Sequence, residues 1–486
     1  MRRYRLKISE EDYQELQRLV FADLPKEAGA FLLAGSGSAG AVENILVRRV
    51  VPVAREHFIT QHEYRLEVSA QAVNGLVALC EANGIGAVIC HSHPEAIPYS
   101  PSDDHGERRI LDVLREFIPP GAPTASLLLY PGGMDARVWL PGSRRPVPID
   151  EVLVIGRAIR RPLLRGARGA GFSASEIYSR QVLAFGTEGQ CLVSSAKTAV
   201  VGIGGTGSAC AEQLVRLGVK DLRLIDFDRF ESSNLTRVYG SVWADACRRL
   251  RWPWRRPLLK AEIVRRHLAR ISPEAKISLV SAHAAETRAA TALLDRDLIF
   301  ICTDDHWGRS VVNQISYQYL IPSINLGVRI DSKNGEIFGA SGGVDVLRPG
   351  LPCLWCKQFL SPDRIAAESM PVGERQRRAQ EGYVEGVTTP APSVISMNTT
   401  VAGLAVSTFL QLLTDFMGEQ GSVSRLNYDV LSGTVSRGVS RPANPCVCSK
   451  FRGFGRLRPL PTVDVVRPQG GVAVTTFRVN SVPQPQ

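Results

Sequence analysis

A glycine-rich turn between two short apolar runs restricts the fold of this chain more than any other feature. Residues 198–201 have the composition of a short buried strand, residues 209–217 that of a helix, and residues 222–225 form a second apolar run that ends at Asp226. A strand, a turn, a helix and a second strand make a βαβ unit, which requires a parallel sheet. We therefore predict an α/β fold with a mainly parallel central sheet. The glycines of the turn are Gly202, Gly204, Gly205 and Gly207.

Length and composition indicate a multidomain globular protein. A chain of 486 residues exceeds one ordinary core, so two or three domains are expected. Hydrophobic residues make up 44% and charged residues 22%, as in soluble proteins. No apolar run approaches the roughly 20 residues of a membrane span, and no apolar stretch follows the basic start as in a secretory signal. Ten cysteines in so long a chain do not indicate a disulfide scaffold. We expect a cytoplasmic location and no membrane partner.

The net charge of +11 does not by itself indicate nucleic-acid binding. Arginines concentrate between residues 157 and 168 and again between 248 and 256. Neither cluster has the interleaved aromatic residues of a base-stacking surface, although Trp252 and Trp254 lie inside the second. A solvated face or a docking surface for an acidic protein is favoured over a nucleic-acid site.

Changes in composition divide the chain into four parts. In the first part, short apolar runs at 29–33, 87–90 and 126–129 predict strands, and residues 70–83 have helical spacing. The arginine-rich stretch that follows is interpreted as a connector containing a short helix. The predicted parts are a first domain at 1–145, the connector at 146–172, a second domain at 173–456 and a mobile tail at 457–486.

Two histidines and a carboxylate in the first domain have the spacing of a catalytic zinc site. His91 and His93 lie one residue apart at a strand end, and Asp103 follows ten residues later. Three protein ligands and a water are typical of catalytic zinc, which lowers the pKa of that water towards neutrality. Glu27 is the candidate base that removes the proton, and Ser100 is a candidate donor to the developing oxyanion.

These residues resemble the JAMM (JAB/MPN) metalloisopeptidase family, whose pattern is an upstream Glu, then His-x-His-Pro, then Ser-x-x-Asp. The resemblance implies a mixed α/β domain over roughly the first 140 residues. It implies that Glu27 is the base, that His91, His93 and Asp103 bind zinc, and that Ser100 stabilises the oxyanion.

Alternatives to this interpretation remain open. The short loop after Pro94 leaves Ser102 as an alternative to Ser100, and Asp104 as an alternative to Asp103. Two histidines and one carboxylate can also hold iron in an oxygenase, and a domain of this kind can act as a non-catalytic scaffold.

The residues after the glycine turn favour ATP over NAD. Backbone amides at a helix start hold phosphate in either case, and an acidic residue at a strand end, here Asp226, binds ribose. Asn234 and Arg237 add a donor and a cation, and Lys260 opens a later helix. Asp304 follows a predicted strand at 298–302, where it can hold magnesium. Several cations and a magnesium carboxylate suit the release of pyrophosphate, whereas hydride transfer does not need them. An NAD-dependent oxidoreductase remains an alternative.

Residues 175–450 resemble the ThiF/MoeB/ubiquitin-E1 superfamily, beginning with Tyr178-Ser179-Arg180-Gln181. The resemblance implies a Rossmann-like domain that adenylates the C-terminal carboxylate of a ubiquitin-like or sulfur-carrier protein ending in Gly-Gly. It also implies a homodimer, because the family's arginine at the position of Arg180 reaches the nucleotide, often in the partner subunit of a dimer. The implied nucleotide contacts are Asp226 at the ribose, Asn234, Arg237 and Lys260 at the phosphates, and Asp304 at magnesium.

Two cysteine pairs predict a structural zinc site, and the segment between them lacks a nucleophile. Four thiolates of this kind commonly hold structural zinc, although free buried cysteines are an alternative. Residues 357–445 contain no cysteine, and Tyr383 stands where the resemblance predicts the thioester-forming cysteine. A phenol with a pKa of about 10 cannot replace a thiolate. The paired cysteines are Cys353, Cys356, Cys446 and Cys448.

Together the two resemblances predict a fused peptidase and adenylyltransferase in a bacterial modifier pathway. The first domain would trim or remove the modifier, and the second would activate its terminal carboxylate. The acyl-adenylate would then pass to an E2-like cysteine, a sulfur donor or another acceptor. An adenylyltransferase for sulfur transfer in cofactor or amino-acid synthesis is the main alternative.

Overall fold

The computed structural model describes residues 2–162, 164, 175–247, 257–370, 374, 377 and 392–464. The chain forms two compact units. Tyr383 and the arginine- and tryptophan-rich stretch 248–256 lie outside the described residues. No described helix has both the length and the hydropathy to cross a membrane. Unit 1 comprises Met1–Gly171, Tyr317–Leu320 and Lys450–Pro459, and unit 2 comprises Phe172–Ser316, Ile321–Ser449 and Leu460–Gln486.

Unit 1 is built on a nine-stranded mixed sheet. The strand order is β11-β10-β1-β3-β2-β6-β7-β8-β9, and β4 and β5 form a separate hairpin. The strands are β1 (Arg3–Ser9), β2 (Gly29–Ala39), β3 (Val42–Pro52), β4 (Phe58–His62), β5 (Arg65–Val68), β6 (Gly86–Ser92), β7 (Thr124–Tyr130), β8 (Gly133–Val138), β9 (Val147–Pro148), β10 (Glu151–Ile155) and β11 (Ile159–Arg160). The helices are α1 (Glu10–Val20), α2 (Ala70–Asn83) and α3 (Pro101–Arg115), with a 3-10 turn at Arg55–His57.

Alternating side chains of the central strands form a separate core on each face of this sheet. On β2, Leu32 belongs to one buried cluster, whereas Phe31 and Leu33 belong to the other. Successive side chains of a strand point to opposite faces, so a continuous apolar run is what a sheet covered on both faces needs. The strands predicted at 29–33, 87–90 and 126–129 and the helix predicted at 70–83 are confirmed.

The predicted connector is wrong for its first half. Residues 147–160 contain three strands and no helix, and β10 pairs in parallel with β1 inside the sheet. Arginine content is a poor sign of a linker here because Arg160 pairs with Glu10 and Arg161 pairs with Glu151. The apolar residues of β10 are buried, so the run at 151–155 belongs to the core.

The predicted tail also begins too early. Residues 450–459 belong to unit 1, where Gly35 N donates to Gly453 O and Arg456 N donates to Ser36 O. Further along, Val463 is buried in unit 2 and its N–H donates to Ala285 O. Residues 457–464 are therefore held by backbone hydrogen bonds and burial, and residues 465–486 lie outside the described residues.

Unit 2 has the predicted Rossmann-like architecture. Its eight strands have the order β14-β13-β12-β15-β16-β17-β18-β19, in which β14 to β16 pair in parallel and β16 to β19 pair antiparallel. The strands are β12 (Lys197–Val201), β13 (Asp221–Ile225), β14 (Lys276–Val280), β15 (Leu298–Ile301), β16 (Ser323–Lys333), β17 (Glu336–Leu347), β18 (Arg425–Asp429) and β19 (Thr434–Gly438).

The first two helices of unit 2 are α4 (Ser179–Ser195) and α5 (Gly205–Leu217). Helix α5 connects β12 to β13, which confirms the predicted βαβ unit. Because β12 has β13 on one side and β15 on the other, the chain reverses direction across the sheet at β12, and ligands of such sheets bind at the strand ends beside this reversal. The other helices are α6 (Trp243–Ala246), α7 (Lys260–Ile271), α8 (Thr287–Leu293), α9 (His306–Gln318), α10 (Pro362–Ser369), α11 (Ile395–Thr414) and α12 (Val447–Lys450), with 3-10 turns at Glu176–Tyr178, Ser232–Asn234 and Gly418–Gly421.

Candidate functional sites

In unit 1, β6 and the start of α3 bring the predicted metal ligands together. His91 lies on β6 and His93 directly after it, so both rings lie on one side of the strand. His91 Nε2 is 3.6 Å from Asp103 Oδ1, and His93 Nε2 is 3.7 Å from Asp103 Oδ2. Ligand atoms of these three residues lie within 4.8 Å of one another.

The Nε2 atom of each histidine ring lies near Asp103. His93 Nδ1 is 3.0 Å from Ile97 O, an arrangement that leaves Nε2 to bind a metal. His91 Nε2 is buried and has no hydrogen-bond partner among the described residues. Burial lowers the pKa of His91 to about 4, so the ring is neutral and its lone pair is available.

Adjacent carboxylates on α3 have different partners. Asp103 faces the two histidines, whereas Asp104 Oδ1 accepts a hydrogen bond of 2.6 Å from Arg137 Nη1. Ser100 is the N-cap of α3, and its hydroxyl donates to Asp103 Oδ2 at 2.8 Å. The structure thus brings Asp103 to the histidines. The Ser100 hydroxyl caps α3, so it would have to give up its hydrogen bond to Asp103 in order to donate to an oxyanion. Ser102 is exposed on the first turn of α3.

Glu27 lies at the same centre. It is 4% exposed, its N–H donates to His62 O, and its Oε1 is 3.6 Å from His93 Nε2. Burial, with a smaller contribution from Asp103, raises the pKa of Glu27 to about 7. Two imidazoles and one carboxylate with a second carboxylate alongside fit a catalytic zinc ion, and the unpartnered His91 Nε2 supports that fit.

In unit 2, the glycine turn of residues 202–207 connects β12 to α5. Gly202 has a φ of +87°, and a side chain there would approach Thr303 N to 2.5 Å. A side chain on Gly207 would lie 1.9 Å from Gly202 O. Helix α5 begins at Gly205 without a side-chain cap, so its first amides are available to an anion.

Asp226 directly follows β13 and lies beside this turn. Its Oδ2 accepts from Ile203 N at 2.5 Å and its Oδ1 from Asp228 N at 2.7 Å. Each oxygen keeps a second lone pair, which ribose hydroxyls can use. Burial raises the pKa of Asp226, partly offset by these donors.

The predicted phosphate ligands lie around the same strand ends. A side chain on Gly205 would lie 3.6 Å from Arg237 Cβ, so Arg237 borders the turn. Lys260 opens α7, and its Nζ donates to Asp228 Oδ2 at 2.8 Å. Asn234 is buried, and its Oδ1 accepts from Glu231 N, so only its amide NH2 remains for a phosphate.

The ThiF family model matches residues 178–449, which is more than half of the chain. This chain belongs to the ThiF family. The molybdopterin-synthase adenylyltransferase of Salmonella typhimurium is 32% identical over 183 residues, which cover 37% of this chain and 66% of that protein. The ubiquitin-like modifier-activating enzyme 5 of Drosophila willistoni is 28% identical over 265 residues, which cover 51% of this chain and 56% of that protein. The chain thus spans between a half and two thirds of these relatives. The solved structure of MccB from E. coli is 17% identical with a TM-score of 0.44 and covers 57% of this chain and 76% of that one.

Within the ThiF region, two neighbouring aspartates follow β15. Asp304 is exposed and makes no hydrogen bond to another described residue, which leaves it available to magnesium. Asp305 accepts hydrogen bonds from His283 Nε2, Thr303 Oγ1 and Gly308 N. Burial raises the pKa of Asp305, but these donors outweigh burial and lower it to about 2.

Arg180 lies in the first turn of α4 and is exposed, with its side chain in solvent rather than packed in unit 2. A guanidinium in this position is free to contact another molecule.

The four paired cysteines of the ThiF region come together in space. Cys353 Sγ is 3.4 Å from Cys446 Sγ, and Cys356 Sγ is 3.6 Å from Cys448 Sγ. All four sulfurs lie within 4.8 Å of one another, as a tetrahedral zinc site requires. Hydrogen bonds from neighbouring thiols lower the pKa of Cys353 to about 5, with Cys448 as the main donor.

Sequence reasoning missed a group of aromatic side chains at the strand ends of the ThiF region. The His283 ring centroid is 4.9 Å from that of Trp307 and 5.6 Å from that of Phe227. Phe227 directly follows Asp226 in the sequence, and this position could have indicated an aromatic side chain at the strand ends. His283 and Trp307 follow different strands, and no local pattern connects them.

Proposed function

We propose that this protein activates the C-terminal carboxylate of a ubiquitin-like or sulfur-carrier protein with ATP and that unit 1 is a JAMM-like metallopeptidase acting on the same kind of protein. The ThiF family membership supports the first activity. The convergence of Glu27 with His91, His93 and Asp103 is the observation that supports the second.

In the adenylation step, a carboxylate oxygen of the modifier attacks the α-phosphorus of ATP and pyrophosphate leaves. The free amides at the start of α5 and the side chain of Arg237 would hold the phosphates, and Asp226 would accept hydrogen bonds from the ribose. Asp304 would bind magnesium, which neutralises the leaving pyrophosphate. Lys260 would have to exchange its contact with Asp228 for a phosphate oxygen.

In the peptidase step, His91, His93 and Asp103 would hold a zinc ion. The ion would supply an activated water and polarise the scissile carbonyl. Glu27 would take a proton from the attacking water and return it to the leaving amine. Burial of Glu27 and of both histidines limits competing water at this centre.

The acceptor of the acyl group is proposed to lie outside this chain. Residues 357–445 carry no cysteine, so an internal thioester of the E1 kind has no nucleophile there. An E2-like cysteine and a sulfur donor are the two acceptor classes. The chain is also 27% identical over 203 residues to an adenylyltransferase and sulfurtransferase of Candida glabrata, a similarity that supports sulfur transfer as the second candidate.

Intact mass spectrometry of a modifier tests both activities together. The substrate is a ubiquitin-like protein with extra residues after Gly-Gly, incubated with the zinc-loaded protein with and without magnesium ATP. We expect loss of those residues without ATP and a gain equal to AMP with it. An unchanged modifier together with no ATP–pyrophosphate exchange would contradict the adenylation proposal, and trimming that persists after zinc removal would contradict the peptidase proposal.

A further inference from the structure

A buried ion-paired cluster lies beside the His91–His93–Asp103 centre, and the proposed peptidase reaction does not use it. Glu107 is 4% exposed and lies one helical turn after Asp103 on α3. Its Oε2 accepts hydrogen bonds from Arg137 Nε at 3.0 Å and Nη2 at 2.8 Å. The same oxygen accepts from Ser126 Oγ and from Trp139 Nε1, both at 2.7 Å.

This cluster connects the helix that carries Asp103 to the sheet that carries the histidines. Ser126 lies on β7 and Arg137 on β8, whereas Glu107 lies on α3. Helix α3 supplies only one ligand, and its position relative to the sheet decides where that ligand lies. Rigid attachment of α3 to the sheet therefore fixes the position of Asp103 relative to the two histidines.

Arg137 also separates the two carboxylates at the start of α3. Its Nη1 donates to Asp104 Oδ1 at 2.6 Å, so Asp104 is neutralised by a cation. Asp103 faces the histidines, and no Lys or Arg among the described residues forms an ion pair with it. Without Arg137, both Asp103 and Asp104 would be available as metal ligands, whereas the proposed centre uses one carboxylate.

The same guanidinium supports a wall behind His91. Arg137 Cζ is 3.5 Å from the centroid of the Tyr99 ring, and that ring lies 5.8 Å from the His91 ring at an angle of 64°. The planar guanidinium can stack and form paired hydrogen bonds at the same time, which an ammonium cannot.

Stability alone does not explain such a cluster. Removing two charges from water costs several kcal/mol per ion, and well-packed apolar residues are often as stable as a buried pair. Glu107 also leaves its Oε1 without a hydrogen-bond partner among the described residues. The cluster thus fixes geometry at an energetic cost.

We infer that Arg137, held by Glu107, is a positioning residue for the metal centre: it occupies Asp104, which leaves Asp103 to the metal, and it holds Tyr99 against His91. This inference rests on the proposed metal site of unit 1.

Metal affinity of the full-length protein tests the inference without reference to peptidase activity. Zinc affinity is measured by competition with a chelator, and cobalt(II) spectra separate the nitrogen–oxygen site from the four-thiolate site. We expect Arg137→Met to weaken metal binding at the unit 1 centre by about 10- to 100-fold. Binding at the four-cysteine site should not change.

A second carboxylate variant distinguishes positioning from general loss of structure. If Arg137 works by occupying Asp104, then Asp104→Asn in the Arg137→Met background should recover part of the lost affinity and restore the cobalt spectrum. A merely structural role predicts no recovery. Arg137→Lys, which keeps the charge but not the fork, should bind metal more weakly than the parent.

Arg115→Met is the matched control. Arg115, at the other end of α3, donates hydrogen bonds from Nη2 to Thr124 Oγ1 and Trp139 O. We expect it to lower the melting temperature without changing metal affinity. Equal affinity of the parent and Arg137→Met would overturn the inference alone, whereas a parent that binds no metal at this centre would overturn the metal site and the inference with it.

Discussion

Two pairs of adjacent aspartates show how environment assigns different tasks to identical residues. Asp103 and Asp104 lie on one helix turn, yet Asp103 faces the histidines whereas Asp104 pairs with Arg137. Asp304 and Asp305 follow one strand, yet Asp305 is held by three donors and Asp304 is exposed. Sequence spacing allowed either member of the first pair to be the ligand, and only the contacts distinguish them.

Exchanging Asp304 and Asp305 for asparagine should separate chemistry from stability. We expect Asp304→Asn to lower ATP–pyrophosphate exchange by roughly 100-fold or more, because a group that balances developing charge is lost, with little change in melting temperature. Asp305→Asn should instead destabilise the protein by about 1–3 kcal/mol, since buried donors lose a charged acceptor. Exchange assays and thermal melts of both variants check this, and equal effects on exchange would contradict the assignment.

At the scale of elements, the four-cysteine cluster connects the turn after β17 to α12. Cys353 and Cys446 are 93 residues apart in the sequence, so a metal that binds both is expected to stabilise the contact between their segments. Cys446 and Cys448 are separated by one residue, whereas Cys353 and Cys356 are separated by two, and the four sulfurs nevertheless meet.

Removing one thiolate from this cluster should lower the thermal stability of the protein without directly removing its ability to bind ATP. We expect Cys353→Ser to lose one zinc per chain and to lower the melting temperature of the protein, while residual folded protein still binds ATP. Metal analysis and calorimetry check this outcome. Cys191→Ser, which changes a partly buried cysteine of α4, is the control and should retain its zinc; an unchanged zinc content in Cys353→Ser would exclude the cluster as a metal site.

Residues 451–459 belong to unit 1 without forming a helix or a strand. Phe454 is 5% exposed in the core that contains Leu33 and Trp139, and the guanidinium groups of Arg48 and Arg458 lie 4.3 and 4.6 Å from its ring. Gly35 permits the close approach, since a side chain there would lie 2.3 Å from Gly453 O.

Truncating Phe454 should therefore destabilise unit 1. We expect Phe454→Ala to cost about 3–5 kcal/mol, the usual range for a buried phenylalanine, and to increase proteolysis within residues 1–162. Phe451→Ala removes a partly exposed ring three residues earlier and should cost much less. Limited proteolysis with mass mapping compares the two variants, and similar sensitivity would show that Phe454 does not anchor the segment.

At the scale of the whole molecule, each unit carries its own complete set of candidate side chains. Glu27, His91, His93 and Asp103 all belong to unit 1, and the glycine turn, Asp226 and Asp304 all belong to unit 2. No residue has to serve in both reactions, so the two activities should be separable by single substitutions.

Glu27→Gln should abolish trimming of a modifier and leave ATP–pyrophosphate exchange within about twofold, because only a proton acceptor is lost. Asp304→Ala should do the reverse. Both activities are measured on the same preparations, with melting temperatures as the control for folding. Loss of both activities in either folded variant would contradict the two-site proposal.

Local sequence patterns predicted much of the fold and most of the candidate site residues. The βαβ unit, the predicted strands of unit 1 and helix α2 follow from apolar periodicity and glycine placement, which depend on residues near one another in sequence. The histidine spacing and the cysteine pairs are also local, so the candidate metal ligands were visible in the chain itself.

Long-range contacts decided what the sequence could not. The run at 151–155 became a strand because β1 offers a parallel edge, and the segment after residue 450 packs in unit 1 because a pocket for Phe454 exists there. Asp104 pairs with Arg137, which is more than 30 residues away in the sequence, and no local pattern indicates that pairing. Such outcomes depend on which partners the folded chain brings within contact distance, and burial and pairing energies at those distances outweigh local preference.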